Sequence, residues 1–116
     1  MGIMRYKKIV SIDLDGVLNT YKGNYVKDSL SPMKEGADEF LKNLSREYRI
    51  EIFTVRDLNL TKEWLIKNKL IQYIENITDR KNPFASVILD DRAIKFDGNY
   101  NKAYKNIISF KPYWKI

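Results

Sequence analysis

The chain has no cysteine and no histidine. The first absence removes a disulfide framework and any thiolate metal site. The second removes the usual zinc sites, Ser-His triads and imidazole bases. Acid–base chemistry must then come from carboxylates, lysine, tyrosine or water. No apolar run approaches the ~18–20 residues that cross a bilayer. The charged stretch at residues 1–8 has no apolar segment of signal-peptide length behind it. Tyr6 stands where a myristoylation signal wants Ser or Thr. The expectation is a cytoplasmic protein with no membrane partner.

What is present fits one domain over residues 1–116, long enough for a real core. The net charge of +6 is uneven. From residue 92 to 116 there are six basic residues against Asp97 alone, with Phe96, Tyr100, Tyr104, Phe110, Tyr113 and Trp114 interleaved. Aromatics beside cations suit base stacking and phosphate tracking, so nucleic acid is one expected partner. Packing of the aromatics against the sheet and a solvated basic surface are the plainer readings.

Short apolar, β-branched runs alternate with amphipathic stretches. Strands are expected over residues 9–14, 50–55 and 85–89, with a shorter strand or extended segment at 71–78 and a last strand at 107–110. Helices are expected over 34–46, after Ser31-Pro32, and over 60–68. Residues 16–32 read as a loop or tight hairpin, and 93–106 as a turn followed by a helical turn. This alternation predicts βαβ units and a three-layer α/β/α, Rossmann-like fold with a mainly parallel sheet. Ligands of such sheets bind at the carboxyl ends of the strands.

Polar residues stand where those strands stop. Asp13 and Asp15 end the first, Thr54 follows Ile52-Phe53, and Asp90-Asp91 follow Val87-Ile88-Leu89. Residues two apart on a strand share a face, so Asp13 and Asp15 are expected to project together. Gathered carboxylates without His or Cys call for a hard cation such as Mg²⁺. A hydroxyl, a lysine and N–H groups at a glycine turn suit phosphate oxygens. The set reads as phosphoryl transfer. A calcium loop in EF-hand register from Ser11 is set aside, because Lys22 stands where a bidentate Glu is required and a strand precedes the loop.

Four motifs in order resemble the haloacid dehalogenase (HAD) superfamily of Mg²⁺-dependent phosphohydrolases: Asp13-Leu14-Asp15-Gly16-Val17-Leu18, Ile52-Phe53-Thr54, Lys81 (with Arg80 as competitor), and Ile88-Leu89-Asp90-Asp91-Arg92. The resemblance implies Asp13 as nucleophile and Asp15 as general acid/base. Thr54, Lys81 and the N–H groups around Gly16 would hold the phosphate. Asp13, the Asp15 carbonyl, and Asp90 or Asp91 would hold Mg²⁺. Arg56 and Arg92 are candidates either for a second anionic group or for structural ion pairs. The gaps between motifs leave no room for a cap domain, so the chain resembles a capless member.

Three functions follow. One is a phosphatase for phosphomonoesters, acting on a nucleotide or nucleic-acid end, or on a phosphosugar or other small metabolite. One is a nucleic-acid- or protein-binding module without useful turnover. The third is a subunit completed by a partner that supplies the missing lid; a homo-oligomer is also among the expected states.

Overall fold

The computed structural model describes residues 7–115. The reading at residues 1–6, Tyr6 included, lies outside them. Strands β1 (Lys8–Asp13), β2 (Tyr48–Phe53), β3 (Ile74–Thr78) and β4 (Ala85–Leu89) form one sheet in the order β3-β2-β1-β4, with every pairing parallel. Helices α1 (Ala37–Leu44), α2 (Leu58–Lys67) and α3 (Tyr100–Ser109) accompany it in the expected three-layer α/β/α arrangement, with α3 standing off the sheet and none of its residues buried.

Register decides which side chains meet. Val10 pairs with Ile50 and Ile12 with Ile52, so these four stand on one face of the sheet, and all are buried. Leu41 of α1, Trp64 and Leu65 of α2, and Leu70 complete this apolar cluster. On the opposite face Ser11 pairs with Glu51, and Ile88 with Ser11. That face is crossed by the connection from β3 to β4, whose Asn82 Nδ2 donates to Glu51 Oε2 at 3.3 Å. An open groove of about 560 Å³ remains beside the connection, walled by Phe53, Ile88, Leu89 and Ile94.

The chain steps from β1 through α1 and β2 to β3, then returns to the other side of β1 as β4. Strand order therefore reverses between β1 and β4, where doubly wound sheets open a crevice at their carboxyl ends. Asp13 closes β1, and Asp90 follows β4 directly.

Three expected elements differ. The first helix begins at Ala37, not at residue 34, because residues 32–34 return along the preceding loop. Thr20 N–H donates to Pro32 O, Lys34 N–H to Leu18 O, and Asn19 and Met33 form an antiparallel bridge. The segment at 71–78 opens with a 3₁₀ turn, Ile71–Tyr73, before β3. The last strand expected at 107–110 is absent, since residues 107–109 belong to α3. Asn99 caps that helix by accepting from Lys102 N–H. Tyr100, Ala103, Tyr104, Ile107 and Ile108 then recur at helical spacing. Two adjacent isoleucines are strand-like only when this wider period is ignored. The helix is preferred although it buries none of its residues.

Ile12 lies at the centre of the cluster and Ile66 on the wet side of α2. Ile12→Ala is expected to cost about 3 kcal/mol in urea unfolding, with an unchanged denaturant slope. Ile66→Ala is expected to stay within about 0.5 kcal/mol of the parent chain.

Candidate functional site

Parallel pairing sets three aspartates at one point. One carboxylate oxygen from each of Asp13, Asp90 and Asp91 lies within 4.8 Å of the others. Each carboxylate is also fastened by a donor. Leu14 N–H donates to Asp13 Oδ1 at 3.0 Å, Arg92 N–H to Asp90 Oδ1 at 2.8 Å, and Trp114 Nε1 to Asp91 Oδ2 at 2.5 Å. Asp91 Oδ1 is buried and has no hydrogen-bond partner among the described residues. Burial pushes the Asp13 carboxyl up to about 8, with further upward contributions from the neighbouring carboxylates of Asp91 and Asp90.

These observations fit a hard divalent cation. The candidate ligand atoms are all oxygens, one buried lone pair is unanswered among the described residues, and a cation would offset both the burial and the neighbouring charges that keep a proton on Asp13. Asp13, Asp90 and Asp91 are the residues that would hold it.

Asp15 has different company. Its Oδ2 accepts from Arg56 Nε at 2.8 Å, and its Oδ1 from Arg56 Nη2 at 3.3 Å and Asn19 Nδ2 at 3.0 Å. The common face expected for Asp13 and Asp15 is not realised as a shared cluster. Strand β1 stops at Asp13, so strand alternation no longer governs Asp15. Both nevertheless line one cleft of about 330 Å³, with Tyr21, Tyr25, Thr54, Asp90, Asp91 and Arg92.

Arg56 is only 2% exposed. Besides Asp15, its guanidinium meets the carbonyls of Val26, Lys27 and Ser29, and Tyr25 stacks on it with 4.2 Å from Cζ to the ring centroid. The structural ion pair is thus the reading of Arg56 that the geometry favours over contact with a second anion. Arg92 remains exposed beside the cleft. Thr54 is buried at the end of β2, and its Oγ1 accepts from Arg56 N–H at 3.1 Å, which leaves the hydroxyl proton for an acceptor in the cleft. Lys81 lines the neighbouring 560 Å³ groove, which shares only Phe53 and Asp90 with the carboxylate cleft. The structure therefore does not bring Lys81 into the same cavity as Asp13. Arg80 N–H caps onto Thr78 Oγ1 at the end of β3.

Gly16 contributes a backbone shape. Its φ is 82°, a conformation that L side chains rarely adopt. A Cβ there would stand 2.2 Å from Asp91 Oδ2 and 3.1 Å from Trp114 Nε1. Its N–H donates to Asn19 Oδ1 at 3.1 Å, so in this state it does not face a phosphate.

Two sets of residues outside the expected site residues shape the site. Asn19 is fully buried and ties Gly16, Tyr21 and Asp15 together. Its signal was its position four residues after Asp15 in a polar loop. Tyr113 and Trp114 bring the distant chain back to the loop. Tyr113 OH donates to Gly16 O, and its ring sits 5.5 Å from Lys34 Nζ. Trp114 meets Tyr21 edge-on at 5.7 Å and lies against Gly23. Their signal was a Tyr-Trp pair close to the end of the sequence, with no apolar run of its own to explain it.

In metal-free protein, folding raises the proton affinity of Asp13, so the folded chain carries a proton that the unfolded chain has lost. Thermal stability is expected to fall as pH rises from about 4, where the unfolded carboxyl titrates, to about 8, where the folded one does. Added Mg²⁺ is expected to raise the melting temperature most at the upper end. Arg56→Ala leaves Asp15 without its charged partner and three carbonyls without this donor, and is expected to cost about 3 kcal/mol in chemical unfolding.

Comparison of the sequence with protein-family models and with curated proteins finds no match. Among solved structures, the chain is similar to a conserved protein from Bacteroides thetaiotaomicron, with 19% identity and a TM-score of 0.58 over 93% of this chain and 95% of that one. At this identity the likeness is one of fold: a small α/β domain with a parallel sheet.

Proposed function

We propose that the protein is a Mg²⁺-dependent phosphatase of the HAD type, acting on phosphomonoesters. The observation that carries this reading is the meeting of Asp13, Asp90 and Asp91 at the crevice where strand order reverses, in a cleft shared with Asp15 and Thr54. The bound cation would neutralise the three carboxylates and the phosphate oxygens, letting two anions approach. Asp13 supplies the nucleophilic oxygen. It attacks phosphorus, the bond from phosphorus to the ester oxygen breaks, and an aspartyl phosphate forms on Asp13. Asp15 would enter the cycle protonated, give that proton to the departing oxygen as a carboxylic acid, and regain one from the water that attacks the aspartyl phosphate. Inorganic phosphate leaves and Asp13 is regenerated. The Thr54 hydroxyl donates to a phosphoryl oxygen. Arg56 and Asn19 act through Asp15 by fixing its direction.

The substrate class favoured by charge is a nucleotide or nucleic-acid end. Arg92 borders the cleft, and the chain beyond it is basic. Binding of nucleic acid without turnover draws on the same charge, but Tyr113 and Trp114 are engaged with the loop at residues 16–23 rather than presented for base stacking.

With Mg²⁺ present, hydrolysis of an aryl phosphate such as p-nitrophenyl phosphate is expected. It should be abolished by Asp13→Asn, and reduced roughly 10²–10⁴-fold by Asp15→Asn, with circular dichroism unchanged. Full turnover by Asp13→Asn would overturn the mechanism. Nucleic-acid binding that survives Asp13→Asn, without hydrolysis in the parent chain, would favour the binding module.

A further inference from the structure

Among the described residues, two apolar surfaces lack a cover. The first is the stripe of α3, where Tyr100, Tyr104, Ile107 and Ile108 are 82, 67, 64 and 66% exposed. The second is the open groove along β4, where Ile88 is 58% and Leu89 39% exposed beside Phe53 and Ile94. A helix makes a stripe only when the stripe is buried against something. An edge strand with apolar residues exposed on both faces is a site that soluble proteins normally cover.

We infer that the occupant of each surface is a second copy of this chain, with α3 of one copy seated in the β4 groove of the other and the exchange made reciprocally. Four observations favour it. Each chain brings one stripe and one groove, so two copies satisfy both with nothing left over. Their lengths match, since the ten residues of α3 rise about 15 Å and the five of β4 about 17 Å. The exposed side chains of the stripe with Ile88 and Leu89 of the groove offer on the order of 700 Å² per copy, close to the about 800 Å² that each partner in a standard interface buries.

The fourth observation explains why α3 does not fill the groove of its own chain. Directly after α3, Tyr113 and Trp114 fasten the chain to Gly16 and Asp91. The helix is thereby held clear of the core, with none of its residues buried. The radius of gyration, 15.7 Å, exceeds the about 13 Å expected of a compact chain of this length, which fits a helix that projects. The groove shares Asp90 with the carboxylate cleft, yet self-association is measurable without hydrolysis and so stands or falls apart from the phosphatase reading.

Light scattering on the purified chain is expected to give twice the 13.8 kDa chain mass. Ile108→Glu damages the stripe and Ile88→Lys the groove, both at positions exposed in the single chain, so circular dichroism and melting of the monomer should be unaffected. Each variant alone is expected to weaken self-association roughly 30-fold or more, the loss typical of a buried anchor. Mixed together, they retain one intact stripe and one intact groove, and are expected to associate with each other. A monomeric parent chain would overturn the proposal. So would a variant that stays dimeric alone, or a mixture that fails to associate, since helix-to-helix or edge-to-edge contact would then be the interface.

Discussion

Mutual repulsion among Asp13, Asp90 and Asp91 is the constraint around which the crevice is arranged. The parallel sheet forces the meeting, because the two strands that carry them are neighbours and end together. Each carboxylate is then held by one oxygen, through Leu14 N–H, Arg92 N–H or Trp114 Nε1, so that the three cannot swing apart. Gly16 lets the chain turn close enough for Asp91 to reach the cluster. Held together in this way, three like charges lower their energy only by gaining a proton or a cation.

Asp15 escapes that constraint because it has a cation of its own. Two carboxylates two residues apart thereby acquire different chemistry, one among anions and one against a guanidinium. Arg56 also secures the loop at residues 26–29, so the geometry of Asp15 and the placement of that loop are a single property. A buried pair of this kind contributes little net stability over an apolar replacement, yet breaking it strands a charge. Its benefit is direction: the planar fork of Arg56 admits a narrow range of Asp15 orientations.

Much of this was legible in the sequence. The strands that carry Asp13, Thr54 and Asp90 are short apolar runs with polar stops, and strand periodicity together with the carboxyl-end rule is enough to gather them. The meeting of Asp13, Asp90 and Asp91 follows from that. Local pattern could not supply what depends on distant contacts. Arg56 looked equally suited to substrate or to an ion pair, and only burial distinguishes them. Lys81 stood at a plausible distance along the chain, but the β3–β4 connection turns it into the adjacent groove. Ile107 and Ile108 read as a strand because two β-branched residues dominate a short window, whereas the Asn99 cap and the Tyr100–Tyr104 spacing decide for a helix over a longer one.

The hydrogen bond from Tyr113 to Gly16 joins residues 97 apart in sequence. Contacts that close so long a loop form after the local crossovers that build the sheet, because the closure entropy must be met first. The β1-α1-β2-α2-β3 portion can therefore be in place while the Tyr113 and Trp114 contacts are still open. The same contacts are candidates to open first, since they tether an exposed helix and little apolar area is buried along it. Donation from Trp114 to Asp91 would then make the arrangement of the aspartates the last part of the fold to set and the first to loosen. Occupation of the crevice and docking of the chain's final turn would be coupled events.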